Sequence, residues 1–126
     1  MGLFGFKNRE EKVPNIKWFP LKDEETLTRL IRKESFDKPI VFFKHSTRCS
    51  ISAMALHRIE SKWDISEETA LPVYLDLIAY RHLSNLIAAD LSVIHESPQI
   101  LIVKDGKCVY SVTHNDIDPR DIKRNL

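Results

Sequence analysis

The chain has 126 residues, 43% of them apolar and 29% charged, and its 19 basic against 18 acidic side chains leave a net charge of +1. That length holds one domain, and a chain this apolar has enough to bury that disorder throughout is excluded. So small a net charge gives no overall field for nucleic acid or an anionic membrane, and no apolar run approaches the length of a bilayer span. Two cysteines, Cys49 and Cys108, cannot make a dense disulfide framework. The short apolar start, Met1 to Phe6, runs into charged residues rather than a cleavage site, and Phe6 stands where a myristoylation signal needs Ser or Thr. The expectation is a soluble cytoplasmic domain with reduced thiols, residues 1–13 being a flexible leader and 14–126 the folded unit.

In chain order, Ile16, Trp18 and Phe19 predict a short edge strand closed by Pro20. Asp23 is placed as a helix N-cap, with Glu24 and Glu25 in the first turn where the dipole favours negative charge. Leu27, Leu30 and Ile31 continue at helical spacing, and Ser35-Phe36-Asp37 ends the helix before Pro39. The unbroken apolar run 39–43 predicts a central strand covered on both faces. A polar loop from Lys44 then opens a helix over about 50–62, with Ile51, Ala55, Ile59 and Trp63 recurring every four residues. Residues 72–77 predict a second central strand, and Leu83, Leu86, Ile87 and Leu91 a helix over 80–91. Residues 99–103 form a third strand, Lys104-Asp105-Gly106-Lys107 a tight hairpin turn, and 108–112 the return strand. Asp118 caps a last helix whose first position is Pro119.

Strands alternating with helices call for parallel pairing through right-handed crossovers, and the closing hairpin adds antiparallel strands. The expected fold class is α/β, a central mixed sheet of four to five strands with helices on both faces. The element order resembles the thioredoxin arrangement, although flavodoxin-like and ferredoxin-like layouts share parts of it.

Chemistry concentrates at Cys49, between a central strand and the start of a helix. Unpaired N–H groups and the helix dipole favour a thiolate at such a position, and thiolate is the reactive species in disulfide exchange. Lys44, His45 and Arg48 are expected to add positive charge beside it. The alternative is a buried, inert cysteine. Ser52 stands three residues on, where a dithiol oxidoreductase needs its second sulfur. A serine can donate a hydrogen bond to a thiolate but cannot resolve a mixed disulfide, so exchange at Cys49 would be monothiol. Cys108 is expected to pack as a small apolar residue in the return strand. Pro98 immediately precedes the third strand, where an ordinary trans proline is the simplest alternative. His45, His57, His82, His95 and His114 are dispersed, with no zinc spacing, so no metal site is expected. His57 is expected to face solvent, and Met54 and Trp63 to lie in the core. There is no Gly-rich phosphate loop, and no nucleophile elbow surrounds Ser46 or Ser52.

The segment Lys44-His45-Ser46-Thr47-Arg48-Cys49-Ser50-Ile51-Ser52-Ala53 resembles the active-site loop of the YtxJ-type monothiol bacilliredoxins. The resemblance continues through Tyr74-Leu75-Asp76-Leu77-Ile78-Ala79-Tyr80-Arg81, then His95-Glu96-Ser97-Pro98-Gln99, then Lys104-Asp105-Gly106-Lys107, and covers about 17–117. It implies a thioredoxin-like domain that removes bacillithiol from mixed disulfides on cytoplasmic proteins. There would be no bound cofactor, a low-molecular-weight thiol such as bacillithiol as co-substrate, and S-thiolated proteins as partners. Cys49 would be the nucleophile, with Ser52 at the position of a dithiol relative's resolving cysteine. A cis Pro98 would shape the substrate groove, lined by Thr47, Arg48, Ser50 and Ser97. Two departures stand out: Ser50 replaces the proline many members carry after the nucleophile, and Phe43 occupies the place of the buried acid of thioredoxins proper. A non-catalytic protein-binding module and a redox-sensing thiol are the alternatives to an enzyme.

Overall fold

Alternating apolar strands and amphipathic helices assemble here around one five-stranded sheet of order β1-β3-β2-β4-β5. The computed structural model describes residues 16–126, so the expected leader over 1–13 lies outside the described residues. The elements are β1 (Phe19–Pro20), α1 (Glu24–Arg32), β2 (Ile40–His45), α2 (Ser50–Lys62), β3 (Leu71–Asp76), α3 (Arg81–Leu91), β4 (Gln99–Lys104), β5 (Lys107–Thr113) and α4 (Pro119–Arg124). Two short 3-10 turns, Glu34–Phe36 and His114–Asp116, lie between them. β1, β3 and β2 run parallel, whereas β4 is antiparallel to both β2 and β5. The mixed α/β sheet and the hairpin are as the pattern predicts.

Caps and turns obey local chemistry. The Asp23 side chain accepts from the Thr26 N–H at 2.7 Å, and Asp118 caps α4 from the Arg120 N–H with Pro119 in the first turn. Ser92, in the left-handed region at φ 56°, ends α3. Successive residues of β2 face opposite sides of the sheet. Ile40 and Phe42 join Val73, Leu75 and Leu101 under α1 and α3, while Val41 and Phe43 join Ile100 and Ile102 under α2 and α4. Each of these fully buried side chains contributes about 1.5–3 kcal/mol relative to exposure.

Three expectations change. β2 does not stop with its apolar run but continues to His45, burying Lys44 and His45, because both find hydrogen-bond partners inside. Met54 is 59% exposed rather than core, and Ile51 is 44% exposed. Steps of four residues advance about 40° beyond a full helical turn, so a stripe seated at Ile59 has swung about 80° off its face by Ile51. Ser52 takes the inward position instead, with Ala55 and Ile59 following it.

Candidate active site

β2 ends at His45, and the chain turns through 46–49 before α2 begins. The Cys49 N–H donates to the Ser46 carbonyl at 3.2 Å, and the Cys49 carbonyl accepts the first helical bond from the Ala53 N–H at 3.0 Å. Cys49 is thus the extended N-cap residue of α2. The N–H groups of Ser50, Ile51 and Ser52 have no acceptor within the helix, and the first turn carries no acid. Negative charge at the half-buried sulfur therefore lies at the favourable end of the helix dipole. Thr47, Arg48 and Ser50 surround the cysteine in sequence and are exposed.

Ser52 is fully buried. Its hydroxyl accepts from the Ser46 N–H at 3.0 Å and lies 2.7 Å from the His45 Nδ1. The hydroxyl thus clamps both ends of the cysteine loop, where the sequence suggested a donor to the Cys49 sulfur. The His45 ring packs between Phe43 and Tyr74, with centroids 5.4 and 5.5 Å away, and Trp18 stacks on Phe43 at 5.6 Å. The Trp18 indole N–H donates to Glu60 at 2.8 Å, fixing that wall.

The expected cluster of positive charge around Cys49 is not what forms. Burial lowers the His45 pKa against the opposing pull of Asp76 and Glu60, which favours the neutral ring. Lys44 faces the other side of the sheet, towards α3, and burial lowers its pKa to about 8. Arg48 remains as the exposed cation of the loop.

Gln99 pairs with Lys44 across β2 and β4, which puts Pro98 at the same sheet end as the cysteine loop. The Ser97–Pro98 peptide is cis, and the Pro98 carbonyl accepts from the His114 N–H at 3.0 Å. The Ser97 Oγ is buried with no hydrogen-bond partner among the described residues. The topology therefore brings Thr47, Arg48, Cys49, Ser50 and Ser52 to one sheet end with Ser97 and Pro98.

Cys108 lies elsewhere. It pairs with Val103, which pairs with Ile40, five strand residues below His45. Five strand residues span about 16 Å, against a limit of about 7 Å between the Cα atoms of a disulfide. His57 is exposed as expected, and Trp63 is buried. Among the described residues, no group of three or more His, Cys, Asp or Glu gathers as a metal ion would require.

Sequence reasoning missed the supports beneath the site: Trp18, Tyr74, Lys44, Ser84, His95 and Gln99. One signal was available. Lys44 and His45 directly extend an apolar central strand, so a longer strand would have placed them in the interior.

The sequence model of the family described as Monothiol bacilliredoxin BrxC matches residues 19–122. Among solved structures, the chain resembles one assigned as an oxidoreductase with a thioredoxin fold, at 28% identity and a TM-score of 0.72, covering 85% of this chain and 91% of that one. It also superposes on the thioredoxin of Malassezia sympodialis (17% identity, TM-score 0.66, covering 90% and 91%) and on thioredoxin NaTrxh of Nicotiana alata (15%, 0.67, 90% and 93%). The two thioredoxins share the fold. The family match takes in more than half of the chain and the whole cysteine loop, so the chain belongs to the monothiol bacilliredoxin family, thiol oxidoreductases on a thioredoxin fold.

Proposed function

We propose that this protein removes a low-molecular-weight thiol, such as bacillithiol, from mixed disulfides on cytoplasmic proteins by one-sulfur exchange at Cys49. The observation that carries this reading is the half-buried Cys49 at the start of α2, with a serine hydroxyl in the second-sulfur position and Cys108 far beyond disulfide reach. In the first step the Cys49 thiolate attacks the small thiol's sulfur. A bond forms between Cys49 and that sulfur, the protein disulfide breaks, and the target leaves as a thiolate that takes a proton from solvent. In the second step another small-thiol anion attacks the cap on Cys49, releasing the symmetrical small-molecule disulfide and restoring Cys49. No electrons are gained or lost overall, and the second thiol is the reductant.

Arg48, Thr47, Ser50 and Ser97 are the side chains placed to meet the capped protein, beside Pro98. The unpartnered Ser97 hydroxyl is buried directly before the cis Pro98, beneath this groove. Both cysteines are free, which suits a reducing compartment. No helix among the described residues is long and apolar enough to cross a membrane.

The test mixes the protein with targets carrying a bacillithiol cap or a glutathione cap and follows intact masses. The cap should move onto Cys49, regeneration should need added small thiol, and Cys49→Ser should abolish the transfer. Retention of transfer by Cys49→Ser would overturn the assignment. The two caps, compared by rate, identify the preferred thiol.

A further inference from the structure

Among the described residues, Lys44 is a charged side chain with no exposed surface at all, and the exchange reaction gives it no part. It lies on β2 five residues before Cys49, on the face covered by α3. Its Nζ donates to the Ser84 carbonyl at 3.1 Å and lies 3.2 Å from the His95 Nδ1. The Ser84 Oγ is 2.9 Å from the same nitrogen.

Lys44 has a companion. Gln99 pairs with it across the sheet and so projects from the same face. The Gln99 amide donates to the Ile94 carbonyl at 3.1 Å, and its carbonyl oxygen accepts from the Glu96 N–H at 3.3 Å. Residues 94, 95 and 96 are therefore gripped at three successive positions by two adjacent strands. The chain runs straight from this grip into Ser97 and Pro98.

The chemistry of the grip is specific. An ammonium ion withdrawn from water is unfavourable, and the neighbouring inward positions of β2 on this face are Ile40 and Phe42. A methionine would fill the space of Lys44 without that penalty but could not donate. A charged Lys44 can only donate, so the His95 Nδ1 it faces is the acceptor and the neutral ring carries its proton on Nε2. Burial, Lys44 and the nearby Arg81 all disfavour a second proton on His95, against Glu96. The ring is thus held as a neutral acceptor for Lys44.

We infer that Lys44, acting through His95 and beside Gln99, is a positioning residue that fixes residues 94–97 as the docking edge for the capped protein without altering Cys49 itself. This deepens the proposed exchange and rests on it.

The experiment compares wild type with Lys44→Met, His95→Leu and His95→Asn, using a glutathione-capped protein as substrate. Lys44→Met and His95→Leu should each raise KM roughly tenfold with much less change in kcat, the mark of lost binding rather than lost chemistry. The rate of Cys49 alkylation by iodoacetamide should stay within about twofold. Asparagine can present an acceptor near the place of Nδ1, so His95→Asn should recover most of the loss. Amide exchange at 95–97 should quicken by about tenfold in Lys44→Met, reporting the released segment directly. Unchanged KM and unchanged amide exchange in both Lys44→Met and His95→Leu would overturn the inference. So would a parallel fall in Cys49 alkylation, which would place the effect in the cysteine loop. If wild type itself fails to accept the cap, the exchange reading falls, while amide exchange at 95–97 still decides what Lys44 holds.

Discussion

The two ends of the sheet are built on different principles. At the cysteine end the interior holds Lys44, His45, Ser52, Ser84 and Gln99, all buried and all polar, together with the unpartnered Ser97 hydroxyl. At the hairpin end the buried polar side chain is Ser35, and its bonds are neutral and complete. The Ser35 hydroxyl donates to the Ile31 carbonyl and accepts from the Gly106 N–H at 2.9 Å, while the Ser35 carbonyl accepts from the Asp105 N–H at 2.9 Å. Asp105 and Gly106 both have positive φ, 50° and 77°, as a two-residue hairpin turn requires. The hairpin end thus secures the fold, whereas the cysteine end gives up stability to hold a site. Substitutions at one end should move stability alone, and at the other should move activity, sometimes against stability.

The largest effect belongs to the cysteine end. Cys49→Ser should lower cap removal by roughly a thousandfold or more, since a hydroxyl is no substitute for a thiolate nucleophile. The half-buried position should let the variant fold with an unchanged thermal midpoint. Substantial activity in this variant would remove the functional contrast between the two ends.

Lys44 sharpens the contrast through pH. Its folded pKa is about 8, against an ordinary value of 10.5. Between those values the unfolded chain holds the proton more tightly, so stability rises with pH across that window. Below pH 8 the penalty is fully present, and above 10.5 it is gone. Lys44→Met should therefore be more stable than wild type at pH 7 by about 1–3 kcal/mol, and the gap should close by pH 10.5. Denaturant unfolding of the pair across pH measures this, and referencing one to the other cancels the tyrosines that titrate nearby. A gap independent of pH would mean that Lys44 is not held under strain of burial.

The hairpin end should show the opposite behaviour. Ser35→Ala strips Gly106 of its acceptor and should lower stability by about 1–2 kcal/mol. Gly106→Ala places a Cβ on a left-handed backbone, 3.3 Å from the Phe36 ring, and should lower it by about 1–2 kcal/mol. Because Phe36 is largely exposed, its ring can yield, so backbone strain sets the size of that effect. Neither variant should change the rate constants of cap removal beyond about twofold.

This division also explains what the sequence could disclose. The Asp-Gly turn, the Asp23 and Asp118 caps and the apolar runs are local signals, and each marked its element within a residue or two. Cys49 was legible for the same reason, since a cysteine between strand and helix is a local pattern. The supports were not legible, because they join residues 40 and 51 positions apart, Lys44 with Ser84 and Lys44 with His95. A polar Lys44-His45-Ser46 run reads locally as a loop, and only the longer strand β2 turns two of its members inward to opposite faces. The misplacement of Ile51 and Met54 has a similar root: a four-residue repeat describes a helix face well for two turns and then drifts off it.

The smallest effect tests whether the second thiol is as idle as its end of the sheet suggests. Cys108 is half-buried on β5, its thiol donates to the Tyr110 carbonyl at 3.4 Å, and burial raises its pKa against two backbone hydrogen bonds. Little thiolate is present there at neutral pH, and the sulfur lies at the far end of the sheet from Cys49. Cys108→Ala should leave cap removal within about twofold of wild type and cost about 1 kcal/mol or less of stability. With limiting iodoacetamide at pH 7, peptide mass mapping should find Cys49 modified well before Cys108. Faster modification of Cys108, or loss of turnover in Cys108→Ala, would place redox chemistry at the hairpin end and remove the distinction between the two regions.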